Sequence, residues 1–310
     1  MARIIGVIQT VLPVLLALCI GMLCREKKIL SREGVNALKR VAVDITLPAV
    51  LLEAFATADY GARSVAVPLL MYAVCILGFF LGKAANRFMR LPSRFTPFLT
   101  TGFEAGMLGY TLFTMLYGAQ HVANFALVDL GQVLFVFTLY KALLKKDTTA
   151  PGAQGSLVRE MLTSPIIISI VVGVALGATG LYRALIPSGI SALFDASVSF
   201  ISAPTSVLIL ISVGYDLCFS QIRWRETFKM TATRLVIMLL LMGATMGAVW
   251  ALFGKDMMLI KAIAVMFILP PPFVLPVFAD DSEHRAYISS VLSFSTLTAI
   301  ALFAVLAAIG

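Results

Sequence analysis

Charge is what this chain lacks. Only 13% of its 310 residues are Asp, Glu, Lys or Arg, about half the share of a soluble domain. The hydrophobic share is 60% and the mean hydropathy +0.98, which excludes a soluble globular protein and predicts a polytopic membrane protein. Histidine is almost absent too. His121 and His284 both fall at the ends of apolar segments, so no HExxH zinc site and no Ser-His-Asp arrangement can be built. No glycine-rich phosphate loop occurs, which excludes direct use of ATP. The four cysteines, Cys19, Cys24, Cys75 and Cys218, stand singly without metal-ligand spacing and read as small packing residues. The net charge of +8 does not point to nucleic acid, because the basic residues sit in short connections between apolar runs.

What is present is a series of ten apolar segments, at about 4–24, 35–57, 65–86, 95–117, 122–144, 164–181, 190–215, 231–253, 262–280 and 286–309. The first lacks a cleavage site and is long enough to span, so it reads as a helix rather than a leader. The longest polar stretch, 145–163, divides the chain into two five-segment halves, 1–144 and 164–310. Nineteen of the 24 Lys and Arg fall on one side, in the connections 1–2, 3–4, 5–6, 7–8 and 9–10; Arg223, Arg225, Lys229 and Arg234 are counted in the 7–8 connection. Only Arg3, Arg63, Arg183, Lys255 and Lys261 fall on the other. The bias predicts a multi-pass protein of the cell (inner) membrane with both termini outside and the 145–163 linker in the cytoplasm. Trp224 and Trp250 suit interfacial anchoring.

An odd number of spans per half inverts one half relative to the other. Internal spacing agrees: Pro13 and Gly21 match Pro165 and Gly173, and Leu47-Pro48-Ala49 in segment 2 matches Ala203-Pro204-Thr205 in segment 7. Pro48 and Pro204 are the expected breaks of those two segments. A stronger pair lies in segments 4 and 9. Segment 9 carries Pro270-Pro271-Pro272 and Pro276, and each proline removes a backbone donor and clashes with the preceding turn. Segment 4 carries Gly102, Glu104, Gly106 and Gly109, with the interruption expected at Gly106–Gly109. Broken helices at membrane depth are tolerated only where they are buried or line a cavity, and they point to a transporter's binding site. The predicted fold is therefore all-α and integral to the membrane: ten helices in two inverted repeats, with broken helices 4 and 9 crossing near the midplane.

Glu104 sits about 13 Å into its segment, where a lone carboxylate costs on the order of 3 kcal/mol. As a site residue it would bind and release a proton; as a structural one it would cap loose amides. Thr100, Thr101 and the amides of Gly106, Met107 and Gly109 form the expected cradle for a solute, since a half-helix N-terminus offers free donors. Close small-residue packing is the alternative use of those glycines. Pro270, Pro271 and Pro272 form the opposing half. Asp129 and Gln132 share a helix face that can turn to the crossing, and Asp44 precedes Pro48 by one turn as a second coupling acid. Asp280, Asp281, Glu283 and His284 read as a solvated cluster closing segment 9, while Glu53 and Asp216 read as interfacial.

Several short stretches, in order, carry a resemblance: Gly21-Met22-Leu23-Cys24 with Leu30-Ser31; Asn36-Ala37-Leu38 with Thr46-Leu47-Pro48-Ala49-Val50-Leu51; Gly106-Met107-Leu108-Gly109 with Tyr117-Gly118; and Leu269-Pro270-Pro271. Along its whole length the chain resembles the auxin efflux carrier family. The resemblance implies a dimerising scaffold of segments 1, 2, 6 and 7, so a homodimer, and a transport domain of segments 3–5 and 8–10. It implies elevator-type movement of a small organic anion such as auxin, malate or malonate. Two positions depart from the family's pattern: Glu104 and Asp44 stand where the family commonly has Asn, so two amides have become acids.

The expected function is secondary active transport of a small organic solute, without catalysis, cofactor or metal. No dense cluster of oxygen ligands marks a sodium site, so protons or membrane potential are the expected coupling, with sodium, which related crossover folds use, as the lesser alternative. The partners are the solute, membrane lipid and a second copy of the chain. A sensor that binds the solute without net flux, or an intramembrane enzyme using Asp44 and Glu104 as a carboxylate pair, are the alternatives.

Overall fold

The structure is a computed structural model that describes residues 2–58, 60–89, 93–147, 159, 162–217, 224–278 and 282–309. The described residues are helices joined by short connections, with no strand among them. Among the described residues six helices are long and apolar enough to cross a membrane: Ile5–Glu26, Arg63–Met89, Ala119–Leu144, Ile190–Asp216, Trp224–Phe253 and Glu283–Ile309. Pro165–Ala178 and Met257–Ile268 are shorter apolar helices. The protein is thus a multi-pass membrane protein. The 145–163 linker falls mostly outside the described residues, as do Asp280 and Asp281.

The chain packs as two compact units. The first comprises Met1–Ser64, Gly106–Ala126 and Val158–Asp216. Here bare glycines set how closely helices approach. At Gly21 a side chain would strike the backbone of Ile211 and Tyr215, and at Gly214 the backbone of Leu18. The N-terminal helix and Thr205–Asp216 therefore touch main chain to main chain. Gly173 does the same for the helix Leu47–Ala56, where an added Cβ would lie 2.8 Å from the Leu52 carbonyl oxygen. Small residues permit this approach, which van der Waals contact then stabilises.

The two expected proline breaks differ in form. Pro48 has no N–H to return to the Asp44 carbonyl, so the ladder shifts by one residue. Ala42–Thr46 becomes a π turn in which the Leu47 N–H reaches the Ala42 carbonyl. Segment 2 thus stays helical through Pro48, and the Asp44 side chain is exposed. At Pro204 the span Ile190–Asp216 is interrupted: Ile190–Ser202 and Thr205–Asp216 meet at an Ala203–Pro204 turn. Asp216, at the end of that helix, pairs with Arg32 at 2.7 Å and with Lys39.

The second unit comprises Val65–Ala105, Leu127–Leu157 and Leu217–Gly310. An aromatic core fills it. Phe98 meets Phe79 at 5.2 Å and Tyr140 at 5.4 Å edge-on, and the Tyr140 hydroxyl donates to the Phe98 carbonyl at 3.1 Å. Gly131 lies against the Pro68 carbonyl and Met71. Both interrupted segments bring their breaks into this unit.

The candidate functional site at two helix breaks

In segment 4 the helix Thr96–Leu99 ends, residues 100–104 are non-helical, and a π turn, Ala105–Gly109, leads into Tyr110–Tyr117. The break therefore falls earlier than the glycine spacing predicts. Gly102 sets it: its φ is +68°, a conformation that L side chains rarely adopt. An added Cβ there would also lie 2.9 Å from Cγ of Pro272. Gly106 and Gly109 sit within the π turn, in the other unit, where the neighbour of Gly106 is Leu47. Met107 lies in the same turn.

In segment 9 the helix Met257–Ile268 starts at Asp256, whose carboxylate accepts the Leu259 N–H at 3.1 Å. It ends at the prolines, and a short 3-10 turn, Leu275–Phe278, follows. Pro270, Pro271 and Pro272 are buried.

Glu104 joins the two breaks twice. Its backbone N–H donates to the Pro270 carbonyl at 2.9 Å, and its Oε2 accepts the Phe273 N–H at 2.6 Å. Prolines supply no donors, so Phe273 is the first residue after the triplet able to reach back. The carboxylate meets an amide with no helical partner, the kind of group that a broken helix leaves over. Phe103 and Phe267 add an edge-on ring contact at 5.1 Å between the same two stretches.

Thr100 and Thr101 are fully buried, and both hydroxyls turn to main chain. Thr101 donates to the Cys75 carbonyl at 2.5 Å; Thr100 is within reach of the Thr96 and Pro97 carbonyls, both at 3.1 Å. Gly78 and Gly82 of the Arg63–Met89 helix admit them, since a Cβ at either would press on Thr100 or Thr101. Thr101 fastens the break to its neighbour helix and Thr100 bonds back within segment 4, where the sequence suggests a cradle for solute. Asp129 and Gln132 are also buried, and the Gln132 amide donates to the Phe103 carbonyl at 3.0 Å and to Asp129 Oδ1 at 3.2 Å. Two acceptors on one side fix the orientation of that amide. Of the expected site residues, Thr100, Thr101, Glu104, Asp129, Gln132 and Pro270–Pro272 belong to the second unit. Asp44, Pro48, Pro204, Gly106, Met107 and Gly109 belong to the first.

The sequence reading missed Arg234. Counted as a charge of the 7–8 connection, it is the eleventh residue of the Trp224–Phe253 helix and only 4% exposed. Its guanidinium donates to the carbonyls of Leu99 at 2.9 Å, Gly102 at 2.8 Å and Leu269 at 3.0 Å. It also sits 5.7 Å from the centroid of the Phe103 ring. These are the carbonyls that the two breaks free, and one planar fork satisfies them together. The available signal was position: Arg234 is the fourth residue of the apolar segment 231–253, within the span rather than in the connection before it.

A multi-pass helical protein whose buried polar groups gather on two broken helices belongs with the membrane transporters in architecture. The chain is a member of the membrane transport protein family, the auxin efflux carriers, which it matches over residues 6–154 and 151–307. It is also similar to an uncharacterized transporter from Methanothermobacter thermautotrophicus, 26% identical over 225 residues, covering 70% of each chain.

Proposed function

We propose that this chain is a secondary active transporter that moves a small organic anion across the cell membrane by elevator-type alternating access, coupled to protons through Glu104. The observation that carries this reading is the double link at Glu104. One acid holds the broken ends of segments 4 and 9 together, so a change in its protonation would act on both ends at once. Oε2 accepts the Phe273 N–H; a proton on the carboxyl weakens that acceptor and loosens the link. The crossing lies within the unit formed by Val65–Ala105, Leu127–Leu157 and Leu217–Gly310, so that unit would carry it.

Ten spans in two inverted repeats complete the proposal. Beside the six long helices stand helical 32–56, Pro165–Ala178 and the two broken segments. Exchange of the two halves turns the contact of helix 1 with helix 7, at Gly21, into that of helix 6 with helix 2, at Gly173. Inverted repeats predict such a correspondence. Both termini outside, a cytoplasmic linker and a homodimer through segments 1, 2, 6 and 7 belong to the same reading.

The test is counterflow of labelled malonate or malate in proteoliposomes, with and without an imposed pH gradient. Wild type should exchange solute and respond to the gradient. Glu104→Gln should keep exchange and lose the response. Full proton coupling in Glu104→Gln would refute the assignment of the coupling acid, and absence of counterflow would refute transport of these anions.

A further inference from the structure

Arg234 reaches carbonyls of both breaks at the crossing, and the functional reading leaves it unused. A buried cation inside a membrane segment is expensive, and such residues face protein or water and mark functional paths. Here the cost is offset by acceptors. Leu99 and Gly102 present carbonyls from the break of segment 4, and Leu269 presents one from the end of Met257–Ile268, the negative end of that helix's dipole. Glu104 is the complement: its carboxylate lies on the Phe273 amide, and its own N–H reaches Pro270, the residue after Leu269. Cation on carbonyls and acid on amide therefore bracket the same pair of breaks. Gly102 and Glu104 are two residues apart, at most about 7 Å along the chain.

We propose that Arg234 is the positioning residue of the crossing: it clasps both breaks through their carbonyls and supplies the positive charge that offsets Glu104, so that an anionic solute meets a balanced site. The part concerning the solute rests on the transport reading above; the clasp and the offset do not. Lysine keeps the charge but not the planar fork, and methionine keeps neither. The two contributions can therefore be separated.

The experiment is a melting cycle on detergent-purified protein, comparing wild type, Arg234→Lys, Arg234→Met, Glu104→Gln and Arg234→Met/Glu104→Gln. Arg234→Met should melt about 5–10 °C below wild type, since it strands three carbonyls and an acid. The double variant should regain at least half of that loss, and Arg234→Lys should fall between wild type and Arg234→Met. A clasp without charge offset predicts no recovery, so a double variant that loses as much as the two single changes together overturns the proposal. So does an Arg234→Met protein that melts like wild type. If Arg234→Met cannot be recovered folded while the double variant can, the offset is supported; if neither can, it is overturned.

Counterflow of malonate against its neutral diamide, malonamide, reads the consequence for the solute, which a purely structural clasp would not change. Arg234→Lys should keep a preference for malonate, Arg234→Met should lose it by about tenfold, the worth of one modest charge interaction, and the double variant, balanced again, should regain it. An unchanged preference in Arg234→Met overturns the charge role. A wild type that moves neither probe counts against transport of these anions, and the melting cycle alone then decides Arg234.

Discussion

Replacement of Gly102 by alanine tests the crossing without any assumption about what it carries. Two costs add at this position. The backbone has φ +68°, and holding an L-residue in the left-handed region costs about 1–2 kcal/mol. The new Cβ would also lie 2.9 Å from Cγ and 3.3 Å from Cδ of Pro272. A proline ring flanked by Pro271 and packed in the core cannot swing aside, so the overlap is overpacking, about 1–3 kcal/mol. Alanine restricts the unfolded chain and returns about 0.4–1 kcal/mol. The net loss is about 2–4 kcal/mol, a fall of roughly 5–10 °C in melting temperature. The assay is thermal unfolding of purified protein, with Gly243→Ala in the Trp224–Phe253 helix as the control. Nothing lies within 4 Å of a Cβ at Gly243, so helix propensity alone acts there, and the control should melt at or above wild type. A Gly102→Ala protein that melts within about 1 °C of the control would refute the placement of Gly102 against Pro272 and the left-handed turn with it.

Three further predictions concern the supports of the site. Thr101→Val removes the hydroxyl that reaches Cys75 and should cost about 1 kcal/mol with little effect on solute binding; a loss of malonate exchange at unchanged stability would return Thr101 to the solute cradle. Gly21→Val and Gly173→Val should each give little monodisperse protein by size exclusion, because a Cβ at either position falls on the main chain of the facing helix; normal yield and melting of both would contradict the close contacts in the first unit. Asp216→Asn breaks the pairs with Arg32 and Lys39, yet Asp216 is 30% exposed and Arg32 65%, so solvent screening should hold the loss below about 1 kcal/mol. Melting at low and high salt checks this, and a large salt-independent loss would show a deeper role.

Much of the architecture is legible in one dimension because lipid imposes its rules locally. A run of apolar residues near 20 long must be helical where it spans, whatever surrounds it. Proline removes a donor wherever it stands, so the interruption of segment 9 could be read from Pro270–Pro272 alone. Family membership was legible for the same reason, since the short motifs around Pro48, Gly106 and Pro270 are contiguous. Glu104 stood out because an acid at membrane depth is costly before its partners are known.

What only the tertiary structure decided is where each polar group spends its hydrogen bonds. Thr100 and Thr101 look like free hydroxyls beside a break, but the Cys75 carbonyl of a neighbouring helix takes Thr101, and the Thr96 and Pro97 carbonyls of segment 4 take Thr100. Gly102, rather than Gly106 and Gly109, breaks segment 4, because the ring of Pro272, some 170 positions along the chain, fills the space a side chain would need. Arg234 shows the limit most plainly. Counted along the chain it is one more cation near a segment end. In the fold it holds the carbonyls of Leu99, Gly102 and Leu269, partners 135, 132 and 35 residues away. Hydropathy and charge counts see each residue alone, whereas a clasp between two breaks exists only once both have been brought to the same guanidinium.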